Sequence, residues 1–220
     1  QDAFALRSQQ RAAAAMAAGY FDAEIVPVNI PRRKGDDVTV SRDEHPRADT
    51  TAEGLAKLPT PFRDGGTVTA GNASSINDGA AAVVVMSGEK ARELGLKPRL
   101  RWRARGIAGV DPAFFGIGPV PAVRSALKKA SMTPDDIDLV ELNEAFAAQV
   151  LAVLREWKLP NHDNLNINGS GISLGHPIAA TGARILTTLL NEMERQDAQF
   201  GLETMCVGGG QGVAAMFERR

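Results

Sequence analysis

From Ile137 to Arg220 short apolar runs alternate with segments whose apolar residues recur every three or four positions. Ile137–Leu142, Leu165–Asn168, Glu203–Val207 and Gly212–Glu218 read as strands, and Glu144–Trp157 and about Ala179–Arg195 as helices. Strand and helix taken in turn restrict this part of the chain to an α/β fold. In the first helix Phe146, Val150, Val153, Leu154 and Trp157 make one apolar stripe for the core, with Asn143 placed to cap it. Gly208-Gly209-Gly210-Gln211 joins the last two strands. Upstream, Pro121–Ser131 reads as a helix, and Thr133-Pro134-Asp135-Asp136 has the N-cap, N1 proline and early acids of a short helical turn.

The first hundred residues are less regular. Residues 1–20 are Ala-rich with helical spacing, and Gly19 is a candidate C-cap. Residues 25–62 hold two β-like runs, Ile25–Ile30 and Val38–Val40, around the charged turn Arg32–Asp37, then Pro46, Pro59 and Pro61. So long an excursion suits a lid or binding loop rather than core. Its Arg32-Arg33-Lys34 triplet reads as a solvated hairpin tip, with a phosphate contact as the alternative. Ala80–Met86 is continuously apolar and precedes a helix over about Gly88–Leu94, the pattern of a strand buried on both faces. In residues 99–105, arginines alternate with Leu100, Trp102 and Ala104, giving a strand with one face toward solvent or toward an anionic ligand.

Composition narrows the function. With Lys+Arg 25 against Asp+Glu 26 there is no basic field to attract nucleic acid. A single cysteine excludes an intrachain disulfide framework and multi-cysteine metal centres, and the three scattered histidines lack metal-ligand spacing. The longest weakly charged run, Gly106–Ala122, contains Asp111 and three prolines, so no membrane span is expected. The opening Gln1-Asp2-Ala3-Phe4 reads like the middle of a helix rather than a protein start, so the chain is expected to be a portion of a longer protein.

Three polar segments follow strands at the edge where open α/β sheets bind ligands: Asn143–Phe146, Asn168–Pro177 and Cys206–Gly210. Singly, each has an ordinary explanation: a helix cap, a structural histidine, a small buried hydrophobe. Together they offer a neutral-pH base, a thiol, an amide and backbone N–H donors freed by glycine. Those parts suit proton transfer and acyl chemistry at a carbonyl better than metal or hydride chemistry.

These segments carry a resemblance. NEAFA at 143–147, GSGISLGHP at 169–177 and CVGGGQG at 206–212, with GNASSINDGAAA at 71–82 before them, resemble the thiolase family in order and spacing. The resemblance runs through the whole chain but covers only the C-terminal part of a thiolase. It implies an α/β, thiolase-like fold: a mixed sheet covered by helices, made of the second βαβαβαββ half plus part of the loop region. Residues 1–76 would be the end of the CoA-contacting loop region, 77–97 the returning strand and helix of the N-terminal half, and 98–220 the C-terminal domain. Ala80–Met86 would then belong to a sheet whose other strands are not on this chain, leaving it unpaired and apolar.

The resemblance also implies an activity and roles. Thiolases condense two acyl-CoA molecules reversibly or cleave 3-ketoacyl-CoA with CoA. His176 would activate a nucleophilic cysteine and help bind the thioester oxygen, and Asn143 would hold a water completing that oxyanion hole. Cys206 would be the acid/base at the acetyl α-carbon, and the Gly208 N–H part of a second oxyanion hole. Ser74 would lie against the pantetheine arm of coenzyme A and Arg47 near its nucleotide end. No permanently bound cofactor and no metal are implied; CoA and acyl-CoA are substrates. The acylated cysteine of thiolases lies in the N-terminal half, and Cys206 is not that residue, so the chain alone is expected to be inactive. GHPIAATG departs from the common GHPxGxSG at Ala179 and Thr181, a change expected to alter packing rather than chemistry. The intact protein is expected to be a cytoplasmic homodimer or homotetramer. A non-catalytic CoA- or partner-binding domain is the alternative from another class. Within the superfamily a β-ketoadipyl-CoA thiolase stays open, and Cys206 disfavours a ketosynthase.

Overall fold

The computed structural model describes residues 1–158 and 162–220. The Ala-rich start forms α1, Asp2–Ala17, which buries Phe4, Ala5, Ser8, Gln9, Ala12 and Ala15. It ends as its glycine suggests. Gly19 adopts φ +72°, its N–H bonds to Met16 O, and the Tyr20 N–H reaches back to Ala15 O, the paired bonds of a Schellman stop.

The excursion follows. β1 (Val28–Ile30) and β2 (Val38–Val40) pair antiparallel in an exposed ribbon with Arg32-Arg33-Lys34 at its solvated tip. The short α2, Ala52–Ala56, starts where the Thr51 hydroxyl accepts the Gly54 N–H at 3.0 Å. Another short helix, α3, spans Gly88–Glu93.

Ala80–Met86, read as a strand, enters no β-ladder. Val84 and Val85 are 85% and 73% exposed. A strand buried on both faces needs neighbours, and the described residues supply none, so this apolar run lies unpaired as the resemblance implied.

The rest is one mixed four-stranded sheet with strand order β3-β6-β5-β4. β3 (Leu100–Gly109) pairs antiparallel with β6 (Gln211–Arg219), β6 antiparallel with β5 (Phe200–Val207), and β5 parallel with β4 (Leu139–Leu142). A bulge between Trp102 and Ala104 interrupts the β3 register. Two-residue alternation sorts the core. Val140, Leu142, Leu202, Ala214 and Met216 pack with α4 (Pro119–Ala130) and α5 (Ala147–Trp157), joined by Phe4 and Ala5 of α1. Leu139, Ala215 and Phe217 meet Leu189 and Met193 of α7 (Thr181–Arg195) on the other face. Each fully buried aliphatic here contributes about 1.5–3 kcal/mol over an exposed one. The arginines of β3, and Arg99 just before it, face solvent: Arg99 forks onto Glu194, while Arg101 and Arg103 approach Glu218.

Two expectations need correcting. Residues 165–168 are not a regular strand; they contribute only a parallel bridge, Leu165 to Val140. Asn166, at φ +49°, replaces the ladder with its side chain: Oδ1 accepts the Leu142 N–H and Nδ2 donates to Leu142 O, both at 2.8 Å. The helix read as Glu144–Trp157 begins at Ala147, so Asn143 is not its cap. Among the described residues no helix is long and apolar enough to cross a membrane.

Candidate active site

Asn143 continues β4 by one residue, its N–H donating to Thr204 O at 3.0 Å. It is wholly buried. The segment after it is clamped from outside, because the Ser74 N–H donates to Ala145 O at 2.9 Å and the Ala147 N–H to Asn72 O at 2.8 Å. Residues 72–74 thus hold the backbone on either side of Phe146, which is extended at φ −146° and ψ 138°, and the helix starts only at Ala147.

Glu144 ties this edge to the glycine-rich loop. Its buried carboxyl accepts the Ile172 N–H at 3.2 Å and Asn166 Nδ2–H at 3.0 Å, and the Ser8 hydroxyl of α1 lies 2.6 Å away. Burial raises its pKa despite those donors. The loop then makes a single turn, α6 (Gly171–Leu174), and breaks at Gly175, φ +96°. A Cβ there would sit 2.6 Å from Asn77 Oδ1. That oxygen is the acceptor of the His176 N–H, at 2.9 Å. Glycine is required at 175 on both counts.

His176 is brought against Asn143, with Nε2 3.3 Å from Asn143 Nδ2. On the other side of the ring Nδ1 lies 2.7 Å from the Thr181 hydroxyl, which donates to Pro177 O at 3.0 Å. Burial lowers the His176 pKa, and the positive Arg184 adds to that. A neutral ring with a lone pair available is the form a base needs. Asn143 Oδ1 is buried without a hydrogen-bond partner among the described residues.

Cys206 and Gly208 lie at the same sheet edge. Cys206 is near the end of β5, two residues beyond the Thr204 carbonyl that holds Asn143. Burial raises its thiol pKa. No hydrogen bond joins it to Asn143 or His176 among the described contacts. Gly208 opens the β5–β6 turn, and a Cβ there would meet nothing within 4 Å, so a ligand can approach the backbone.

The two CoA-contact candidates border this loop. Ser74 is half-buried beside Ala145. Arg47 is exposed, its N–H donating to Gln9 Oε1 at 2.8 Å while Gln9 Nε2 donates to Ile172 O. His45 connects their neighbourhoods: Nε2 lies 3.1 Å from Ile172 O and Nδ1 3.2 Å from Ser75 Oγ. No cluster of three or more His, Cys, Asp or Glu among the described residues is placed to hold a metal ion.

Reading the sequence missed Thr181, Asn77 and His45. Thr181 keeps the hydroxyl of the Ser common at this position, and that hydroxyl contacts the His176 ring. The signal was the hydroxyl retained five residues after the histidine. Asn77 and His45 carried no such signal, because their partners come from distant segments.

Comparison with known proteins agrees with this arrangement. The family model "Thiolase, C-terminal domain" matches residues 96–219, and "Thiolase, N-terminal domain" matches 1–89. An acetyl-CoA acetyltransferase of Thiocystis violacea is 58% identical over 221 residues, covering 100% of this chain and 55% of that protein. A beta-ketoadipyl-CoA thiolase of Acinetobacter baylyi is 52% identical with the same coverage. The crystal structure of the Bacillus anthracis acetyl-CoA acetyltransferase superposes with a TM-score of 0.97 at 52% identity, over 100% of this chain and 55% of that one. The chain therefore spans about half the length of the relatives it matches. Both the sheet-edge geometry and these matches lead to one assignment: the chain belongs to the thiolase family.

Proposed function

We propose that this chain supplies the base, one oxyanion site and the α-proton acid/base of a thiolase that forms or cleaves 3-ketoacyl-CoA. The observation that carries the reading is the buried pairing of Asn143 with the His176 ring at the sheet edge that also bears Cys206. A nucleophilic cysteine outside this chain loses its proton to His176 Nε2 and attacks the thioester. The resulting Nε2–H then faces the developing oxyanion. Asn143 Oδ1 orients a water whose second hydrogen reaches the same oxygen. Cys206 takes a proton from the acetyl α-carbon during condensation and returns it during cleavage, with the Gly208 N–H at the second oxygen. Its thiol pKa is raised by burial, so the rest of the site must favour the thiolate during that step.

Ser74 and Arg47 serve the coenzyme, Ser74 along the pantetheine arm and Arg47 near the nucleotide. The same reading makes the intact protein a cytoplasmic homodimer or homotetramer with no resident cofactor, a proposal resting on the bacterial relatives. A non-catalytic binding domain would have no use for Asn143, His176 and Cys206 together. The Acinetobacter relative keeps an acyl group larger than acetoacetyl open for the substrate.

Thiolysis of acetoacetyl-CoA tests the reading in two forms. The 220-residue chain alone should give background turnover. A chimera in which this chain replaces the matching part of the Bacillus anthracis enzyme should cleave the substrate. Robust turnover by the chain alone would place every reacting group within it. A folded, CoA-binding but inert chimera would favour the binding-domain alternative.

A further inference from the structure

We propose that Thr181 is a positioning residue that holds the proton of neutral His176 on Nδ1 and thereby leaves Nε2 as the acceptor facing Asn143. The inference rests on reading His176 as the base, but its test needs no turnover.

The argument follows hydrogens along a short chain of contacts. Pro177 O can only accept: it takes the Ala180 N–H at 2.7 Å and the Thr181 N–H at 2.9 Å, and the Thr181 hydroxyl has one hydrogen to give it across 3.0 Å. With that hydrogen committed, Thr181 Oγ1 meets the ring at 2.7 Å as an acceptor, so Nδ1 carries N–H. At the other end the Asn143 amide nitrogen can only donate, and it lies 3.3 Å from Nε2, which must then present its lone pair. Both ends of the chain suit the same tautomer. The opposite one would turn the Thr181 hydrogen away from Pro177 O and, at the other end, set an Nε2–H against the Asn143 N–H. Thr181 is wholly buried, so no water can replace its hydroxyl.

The consequence is that one nitrogen does two jobs. A thiol S–H breaks as Nε2–H forms, and Nδ1 keeps its own proton throughout. The Asn143 N–H, which can only donate, gives up Nε2 as that proton arrives, and the ring that acted as acceptor becomes an N–H donor on the same side, aimed at the oxygen that gains charge. The Thr181 hydroxyl continues to accept from Nδ1 in both states. Thr181→Val keeps the shape but removes that acceptor, whereas Thr181→Ser keeps it.

Long-range ¹H–¹⁵N spectra of the three histidine rings in the 220-residue chain test this, with His176→Asn identifying the signal. The expected wild-type pattern above the ring's titration is a protonated Nδ1 and a bare Nε2 on His176, and Thr181→Ser should reproduce it. Thr181→Val should move the ratio of Nδ1–H to Nε2–H forms toward Nε2–H by roughly tenfold, the effect of one lost hydrogen bond. The His45 ring signals, set by Ile172 and Ser75, show whether Thr181→Val retains the fold. An Nε2–H ring in the wild type or in Thr181→Ser overturns the proposal even if Thr181→Val unfolds, as does a folded Thr181→Val with the wild-type pattern. The expected pattern in a chain whose chimera is inert would remove the thiolase reading and leave this one standing.

Discussion

Asn143 Nδ2 lies 3.3 Å from His176 Nε2, although 33 residues separate them. The approach depends on Glu144 next door, which grips the Ile172 N–H at the start of the loop leading to His176 and also bonds Asn166 and Ser8. Those contacts weld the β4 edge, the loop and α1 into one unit. The histidine is thus held by the residue adjacent to its partner.

Glu144→Ala should therefore cost more than an ordinary surface change. It leaves the Ile172 N–H, the Asn166 amide and the Ser8 hydroxyl buried with a lost partner, worth on the order of 2–4 kcal/mol in total. Urea denaturation should show that loss, with Glu144→Gln milder because it retains an acceptor. A Glu144→Ala chain as stable as wild type would contradict the welding role.

Much of this arrangement was legible in the sequence, and the parts that were not share a cause. Regular periodicity revealed α4, α5, α7 and the β5–β6 hairpin because each buries a local apolar pattern. Asn143, His176 and Cys206 stood out because each sits in a polar or glycine-rich segment at the end of an apolar run. Residues 165–168 misled, since the Asn166 side chain imitates a strand's backbone bonds and no periodicity records that. The start of α5 misled because residues 72–74 bond Ala145 O and the Ala147 N–H from about 70 residues away and keep Phe146 extended. Thr181 was undervalued for a similar reason: its role depends on the ring's orientation, which the loop sets.

Two glycines near the site should respond in opposite ways. Gly175→Ala forces an L residue into φ +96° and drives its Cβ to 2.6 Å from Asn77 Oδ1, with an expected loss of about 1–3 kcal/mol and a shifted His176 signal. Gly208→Ala meets nothing within 4 Å and should change stability by less than about 0.5 kcal/mol. Chemical denaturation of the two variants side by side checks the contrast.

Stability should fall as pH rises from about 4.5 to about 8. Burial raises the Glu203 pKa from 4.5 to about 8, with Arg184 opposing the shift. Between those values the native state holds a proton that the unfolded state has released, so unfolding free energy declines from about pH 4.5 and levels off above about pH 8. Glu203→Gln cannot ionise and should flatten part of that decline, raising stability relative to wild type more at pH 9 than at pH 5. Equal effects of the substitution at both pH values would contradict the assignment.

The unpaired run at 80–86 should make the isolated chain sticky. Val84 and Val85 expose apolar surface beside free backbone groups, a template for association. Val84→Asp with Val85→Asp should reduce dye binding to apolar surface and lower the self-associated fraction in sedimentation. Unchanged self-association in the doubly substituted chain would move the sticky surface elsewhere.

The most direct test of the central claim is acetoacetyl-CoA thiolysis by the Bacillus anthracis chimera carrying His176→Ala or Cys206→Ala. General acid–base groups are worth roughly 10²–10⁴-fold, so each substitution should lower kcat by at least about 10²-fold in a folded chimera that still binds CoA. Wild-type turnover in either variant would contradict the assignment of the base to His176 or of the α-proton chemistry to Cys206.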